Sequence, residues 1–225
     1  MKLGRWLNIS DLQLIKQIIP SLTFKFPYSA EDYGKKLYLE NYHCHKDFSN
    51  TSTPDCGELM NAYVDRIHEF GTKCLYSGEH GSQGNQFQVY KVAENENLKY
   101  IHSSEVYWVK DRKEKDRANC HMIIVAKNAE GRGDINFALS MANLDGYYYK
   151  PRVDYEVLET YHEGVIALSA CLAGEVQRYL ARGMYEEACR SARHYEEIFG
   201  KENFFLELQD HGIPTQKTVN QGLCA

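Results

Sequence analysis

The sequence has 225 residues, of which 43% are hydrophobic and 25% charged, a composition that is ordinary for a globular protein with its own core. Its formal net charge of −5 argues against a domain that is itself the main nucleic-acid-binding part of a protein. The negative charge suits a site that concentrates cations. The seven cysteines are scattered, which argues against a disulfide framework. Because Asp11 and Lys16 interrupt the first apolar run, the sequence predicts no signal peptide and no membrane span, and we expect a cytoplasmic location.

Short apolar runs alternate along the chain with amphipathic segments. The runs predict six strands, at residues 37–42, 73–77, 100–109, 121–126, 165–169 and 204–209. Helical spacing of apolar residues marks segments around 59–70, 87–92 and 135–141, and it is clearest over Tyr185–Phe199, which Gly200 follows. This alternation predicts an α/β domain with a mainly parallel sheet or barrel.

The first candidate site is the pair His43 and His45 in the segment YHCHKDFSN, directly after the strand predicted at 37–42. Residues two apart on a strand point to the same side, so both imidazoles can reach one point. Imidazole nitrogen is a good ligand for zinc, manganese or iron. Two surface histidines at this spacing also arise by chance, so the pair alone does not establish a metal site.

Four other predicted strands each carry a further residue that can bind a metal. These residues are His80 in GEHG after strand 73–77, Glu105 in SSEVYW, His121 at the start of strand 121–126, and Cys171 after strand 165–169. Ordinary alternatives are an outward-facing Glu105 on an edge strand and a Cys171 that is simply a small core residue. In a barrel, however, the C-terminal strand ends form one rim, so the joint arrangement predicts a multinuclear metal site. His121 fits least well, because it begins its strand.

The segment 110–117 (KDRKEKDR) is mixed in charge and interrupts the alternation of strands and helices. A solvent-exposed loop between two strands is the ordinary interpretation. A contact with nucleic-acid phosphate is the alternative, which the interleaved acidic residues weaken.

Several of these segments together resemble a known family. HCHKDFSN followed by PDCGE is similar to the first motif of the PHP (polymerase and histidinol phosphatase) domain, which is H-x-H-x-x-x-S with an acid downstream. GEHG with SSEVYW resembles the second stretch of the family, and HMIIVAKN the third. The segment 147–223, which begins YYYKPRVDYEVL, resembles the PHP domain of bacterial-type DNA polymerase III alpha subunits and sets the chain apart from stand-alone PHP phosphatases. We therefore expect residues 1–36 to be an N-terminal extension and residues 37–225 to be a PHP domain.

The resemblance implies a distorted seven-stranded α/β barrel of the TIM-like kind, with a metal centre at its C-terminal rim. Carried over by position, the implied metal ligands are His43, His45, Asp55, His80, Glu105, His121 and Cys171. Glu79 stands where the family motif has an Asp, and we expect it to support the ring of His80. The implied cofactors are divalent zinc, manganese or iron, with up to three ions in the intact domain.

The implied chemistry is metal-assisted phosphoester hydrolysis, which in the polymerase branch is a 3′–5′ exonuclease of DNA replication. The implied partners are the rest of the polymerase alpha chain with its palm and thumb, a DNA 3′ end and the replisome subunits. The last two family ligands form a later D-x-H, and the sequence stops before it. We therefore expect an incomplete barrel and a fragment whose own catalysis is weak or absent. The alternatives are a stand-alone PHP phosphatase for a small phosphate ester, and a scaffold module that binds no metal.

Overall fold

The structure is a computed structural model that describes residues 44–49, 56, 60–209 and 212–225. The predicted extension 1–36, the predicted strand 37–42 and the candidate ligands His43 and Asp55 lie outside the described residues. A short 3-10 helix, Asp47–Ser49, follows His45.

The described part of the chain contains seven α-helices and seven strands. The helices are α1 (Met60–Phe70), α2 (Gln86–Asn95), α3 (Ala129–Leu144), α4 (Tyr155–Thr160), α5 (Glu175–Ala181), α6 (Tyr185–Phe199) and α7 (Pro214–Leu223). The strands are β1 (Cys74–Tyr76), β2 (Lys99–Ile101), β3 (Ser103–Trp108), β4 (Cys120–Ala126), β5 (Arg152–Val153), β6 (Val165–Leu168) and β7 (Phe204–Phe205). None of the described helices combines the length and the apolar character that a membrane crossing requires.

The described strands form two sheets. A five-stranded sheet has the order β5-β3-β4-β6-β7, and β1 pairs in parallel with β2. The prediction of an α/β fold is confirmed. The described strands do not close a barrel, because the edge strands β5 and β7 do not pair with each other.

The prediction of a mainly parallel sheet is wrong at the centre of the five-stranded sheet. β4 runs antiparallel to both of its neighbours, β3 and β6. The segment 109–119 that joins β3 to β4 contains no helix. An antiparallel pair needs only such a loop, whereas a parallel pair needs a longer crossover, which is usually helical.

The core consists of one large cluster and two smaller ones. In the large cluster, helices α3 to α7 cover one side of the five-stranded sheet, and Val106, Ile124 and Ile135 are among its most deeply buried residues. A smaller cluster around Leu75 and Val89 joins β1 to α1 and α2. Since every residue of β3 is buried, its carboxylate and hydroxyl groups lie inside the protein.

The loop 110–117 is anchored by a buried arginine. The side chain of Arg112 is only 4% exposed, and its guanidinium donates hydrogen bonds to Asp145 (3.0 Å), Asp154 (2.8 Å) and Glu156 (2.7 Å). The hydrogen bonds from Arg112 lower the pKa of the Asp145 carboxyl group. The expectation of a merely solvated loop is therefore wrong for Arg112, although most of its neighbours in the loop are exposed.

Candidate metal centre

The direction of β4 explains how His121 reaches the candidate site. In the antiparallel β3–β4 pair, His121 lies opposite Tyr107, at the end of β3 that follows Glu105. On the other side of β3, the chain after β1 continues in parallel and forms a bridge between His80 and Glu105. The start of an antiparallel strand lies at the same sheet edge as the ends of its neighbours, so His121 belongs to the rim.

Glu105 is the centre of the candidate site. Its side chain is 1% exposed, and its carboxylate lies 3.1 Å from His45 Nε2 and 3.1 Å from His80 Nδ1. The Nδ1 atom of His121 also contacts Oε1 of Glu105. The rings of His45 and His80 stack, with their centroids 4.2 Å apart.

These side chains form two groups that could each hold a metal ion. His45, His80 and Glu105 make one group, and Glu105, His121 and Cys171 make the other. Within each group the ligand atoms lie within 4.8 Å of one another. Imidazole, carboxylate and thiolate donors in this combination suit zinc, manganese or iron, so the residues present fit the predicted class of cofactor.

Cys171 joins the second group from the end of β6. Its Sγ atom lies 3.6 Å from Nδ1 of His121. Burial, and after it the charge of Glu105, raises the pKa of the Cys171 thiol to about 11. The sulfur is therefore protonated at neutral pH unless a cation lies beside it, because a bound cation favours the thiolate.

The hydroxyl group of Ser49 fixes the orientation of His45. It donates a hydrogen bond to Oε2 of Glu79 (2.5 Å) and lies 2.9 Å from Nδ1 of His45. Since Nδ1 of the ring is engaged by Ser49, Nε2 of His45 is the nitrogen that faces Glu105. Ser49 was not among the predicted site residues, although it occupies the serine position of the H-x-H-x-x-x-S motif.

Glu79 is fully buried and supports a different part of the site from the one expected. Besides Ser49, its carboxylate accepts hydrogen bonds from the backbone N–H of Lys46 (3.1 Å) and from Nδ2 of Asn85 (2.5 Å). The expected contact with the ring of His80 is not formed in the part of the chain that the structure describes. Glu79 instead ties the loop that carries His45 to the segment after β1.

Of the seven predicted ligands, five fall within the described residues, and all five lie in this one cluster: His45, His80, Glu105, His121 and Cys171. The chain thus brings together residues that lie up to 126 positions apart in the sequence (171 minus 45). The other two, His43 and Asp55, remain predictions.

Comparison with known proteins shows which family the chain resembles. Residues 41–211 match the model of the PHP domain family. The chain is 37% identical over 190 residues to a DNA polymerase III subunit alpha of Treponema pallidum, which covers 82% of this chain and 16% of the relative. It is 34% identical over 192 residues to the corresponding subunit of Aquifex aeolicus, with 80% of this chain and 16% of the relative covered.

The chain therefore spans about a sixth of the length of these relatives. Among solved structures, a candidate metal-dependent phosphoesterase from Bifidobacterium adolescentis aligns over 78% of this chain and 79% of its own, at 12% identity and a TM-score of 0.42. The family model covers about three quarters of the sequence, and its span contains all of the candidate ligands. The chain belongs to the PHP domain family.

Proposed function

We propose that this chain is the PHP domain of a DNA polymerase III alpha subunit and that its metal centre is of the type that hydrolyses phosphoester bonds, which acts in the intact subunit as a 3′–5′ exonuclease on a DNA end. The observation that carries the proposal is the position of Glu105. Its one buried carboxylate contacts His45, His80 and His121 and is shared by two groups of ligand residues. A carboxylate between two such groups is typical of a centre that holds more than one ion.

The proposed ligands are His43, His45, Asp55, His80, Glu105, His121 and Cys171, and the proposed cofactors are zinc, manganese or iron. Divalent ions in such a centre neutralise phosphate oxygens and lower the pKa of a water molecule. The protein supplies a largely buried site in which Glu105 belongs to both groups of candidate ligands. Ser49 orients His45, and Glu79 holds the loop on which His45 lies.

The proposed partners follow from the relatives. The rest of the alpha chain, including the palm and thumb, would lie beside this domain, and the replisome subunits would bind that larger protein. A DNA 3′ end is the proposed substrate. Compared with a stand-alone phosphatase, this interpretation is favoured by the identity to polymerase alpha subunits over four fifths of the chain.

The proposal is tested by comparing the wild-type protein with a Glu105 variant. The metal content of each protein and its metal-dependent cleavage of phosphoester substrates are measured. After equilibration with Mn²⁺ or Zn²⁺ and dialysis, the wild-type protein should retain at least one ion per chain. The variant Glu105→Gln keeps the size of the side chain but removes the charge shared by both groups. Its metal affinity should fall by more than the roughly 10–100-fold that loss of a supporting residue costs.

Glu202→Gln is the matched control, because Glu202 is exposed and lies outside the site. Shortening of a 5′-labelled oligonucleotide by the wild-type protein, suppressed by EDTA and by Glu105→Gln, would support the exonuclease. Cleavage of p-nitrophenyl phosphate alone would favour the small-ester phosphatase. A wild-type protein that retains no ion would contradict the proposal and favour a scaffold role.

A further inference from the structure

A cavity of about 770 Å³ opens directly beside the candidate metal centre. His80, Tyr107 and Lys150 line it near the metal centre, and Leu144, Tyr147 and Tyr149 line its outer part. We call this cavity the aromatic groove. We propose that the aromatic groove binds the last nucleotides of a single nucleic-acid strand, with its bases on the tyrosines and its phosphates at Lys150. The inference rests on the proposed function, since it names the substrate-binding surface of the same centre.

The aromatic groove and the metal centre share residues. His80 is a candidate ligand and also lines the groove. The ring of Tyr107 lies between the two, with its centroid 5.7 Å from that of His80 and 5.4 Å from that of His121. A strand that lies in the groove therefore places its terminal phosphoester beside the candidate ligands.

The outer part of the groove presents aromatic rings to solvent. Tyr147 is 62% exposed and Tyr149 is 60% exposed. Aromatic rings on an open surface are the platforms on which the bases of single strands stack, since every base has a flat face. The cavity volume is also within the range of sites that hold small organic molecules of nucleotide size.

Backbone conformation holds Tyr149 in this outward position. Its φ of +61° lies in the left-handed region, which a bulky residue adopts only when the surroundings impose it. The guanidinium of Arg117 lies 3.7 Å from the centroid of the Tyr149 ring. This contact places the positive charge of Arg117 at the outer end of the groove. Arg117 belongs to the segment 110–117, for which a contact with nucleic-acid phosphate was the alternative interpretation.

A cation also lies at the inner end of the groove. The ammonium group of Lys150 is 4.1 Å from the centroid of the Tyr107 ring, so it is held near the metal centre by a cation–π contact. A phosphate beside His80 would lie within reach of this charge. Lys150 and Arg117 therefore give the groove a local positive character that the net charge of −5 conceals.

The buried side chain of Arg152 fixes the segments around the groove before any ligand binds. Arg152 is 2% exposed. Its guanidinium donates hydrogen bonds to the backbone carbonyl groups of Gly146 (2.9 Å), Asp116 (2.8 Å) and Arg112 (2.5 Å). These bonds join the loop of Arg117 to the turn that carries the exposed tyrosines. A ligand would therefore meet a preformed surface, which lowers the entropic cost of binding.

The test is the binding of a fluorescein-labelled ten-nucleotide oligothymidylate to the 225-residue chain in EDTA, followed by fluorescence anisotropy. EDTA removes hydrolysis from the measurement. The double variant Tyr147→Ala/Tyr149→Ala should weaken binding by about tenfold or more, because each lost stack weakens binding severalfold to about a hundredfold. Lys150→Gln should weaken binding and also lower the slope of log affinity against log salt by about 0.7–1, since one phosphate contact is lost.

The matched control is Phe87→Ala/Lys91→Gln, an exposed aromatic–lysine pair on α2 that lies outside the groove. It should leave both the affinity and the salt slope unchanged. Absence of binding by the wild-type protein, or equal loss in groove and control variants, would overturn the inference. Because the two replaced tyrosines are exposed, we expect the variants to stay folded. Thermal melting of each variant checks that unfolding does not cause a loss of binding.

A parallel assay separates this inference from the proposed function. Hydrolysis of bis(p-nitrophenyl) phosphate with Mn²⁺ needs the metal centre, but this substrate has no nucleobase that could stack in the groove. If the wild-type protein binds the oligonucleotide through the groove but retains no Mn²⁺ and hydrolyses nothing, the proposed function fails and the groove stands. If hydrolysis proceeds and the groove variants bind the oligonucleotide as the wild-type protein does, the groove fails and the proposed function stands.

Discussion

At the scale of single residues, one hydroxyl group links the two parts of the chain that carry the first ligand group. Ser49 Oγ contacts the carboxylate of Glu79, the ring of His45 and the backbone N–H of His80. Loss of this oxygen would remove the contact at Nδ1 that orients the His45 ring. The buried Glu79 carboxylate would also lose one of its three hydrogen-bond donors.

We therefore predict that Ser49→Ala lowers the affinity for Mn²⁺ by about 10–100-fold, the range for residues that orient a ligand. The unfolding free energy without metal should fall by about 1–3 kcal/mol, because a buried acceptor loses a donor. Isothermal titration with Mn²⁺ and urea unfolding measure the two effects. Ser140→Ala is the control, since Ser140 is exposed and its hydroxyl bonds the backbone of its own helix. Unchanged affinity in Ser49→Ala would show that the hydroxyl does not orient His45.

The residue types of the site could be predicted from the sequence, but their partners could not. His45, His80, Glu105, His121 and Cys171 follow from donor chemistry near strands and from the family motifs. The contacts of Glu79 depend on how the loop 44–49 folds against the segment after β1, and no periodicity in the sequence encodes that approach. The motif marks Ser49, but its contacts with Glu79 and His45 could not be predicted for the same reason.

At the scale of elements, α3 passes very close to the loop before β6. A Cβ atom built on Gly131 would lie 1.9 Å from the carbonyl oxygen of Gly164, whereas a Cβ on Gly133 of the same helix would meet nothing within 4 Å. The contact is reinforced by Asn128, whose side chain accepts a hydrogen bond from the backbone N–H of Gly131 at the start of α3. The two glycines thus differ in their surroundings while sharing one helix.

We predict opposite effects for the two glycine-to-alanine substitutions. Gly131→Ala should destabilise the protein by about 1–3 kcal/mol or more, because the clash is with backbone that cannot turn aside. Gly133→Ala should stabilise it by up to about 1 kcal/mol, the helix propensity difference between the residues. Urea unfolding of both variants measures the pair. Similar effects in both would contradict the close approach of α3 and Gly164.

The bounds of the elements were predictable where a long amphipathic pattern existed. Helix α6 has the predicted limits Tyr185–Phe199, and its buried residues include Ala188, Tyr195 and Ile198. The predicted strand 100–109 is divided at His102 into β2 and β3. β5 has two residues and α4 has six, so neither is long enough to show a period in the sequence.

At the scale of the whole molecule, the pH dependence of the unfolding free energy depends on the buried side chain of His102. His102, between β2 and β3, is 6% exposed. Burial, and after it the charge of Arg132, lowers the pKa of His102 to about 4. Its Nε2 atom lies 3.1 Å from the side-chain amide of Gln83 and 3.3 Å from that of Gln86, contacts that suit a neutral ring.

The sign of the pH effect follows from the lowered pKa. Between pH 6.5 and about 4 the unfolded chain binds a proton at His102 that the folded chain does not, so stability falls as the pH falls. We predict that the loss of unfolding free energy from pH 7 to pH 5, in EDTA, is about 1–2 kcal/mol smaller in His102→Gln than in the wild-type protein. His68→Gln, on the exposed side of α1, should leave that loss unchanged. An equal pH dependence in all three proteins would refute the assignment.

The architecture as a whole was predictable in class and not in strand direction. Alternating elements and the family motifs gave the α/β class. The direction of β4 depends on whether the segment 109–119 folds into a helix, and its mixed charge did not decide this. That direction removes the difficulty with His121, because the beginning of an antiparallel strand lies beside the ends of β3 and β6.

The sharing of Glu105 between two ligand groups has a consequence for how the centre fills. An ion in either group draws on the same carboxylate, so the first ion changes the charge that a second ion meets. If ions bound at both proposed positions, their binding would be thermodynamically linked and reciprocal, each ion altering the affinity for the other by the same factor. Binding would then proceed in two coupled steps, and metal ions would compete for a pair of positions and not for two independent ones.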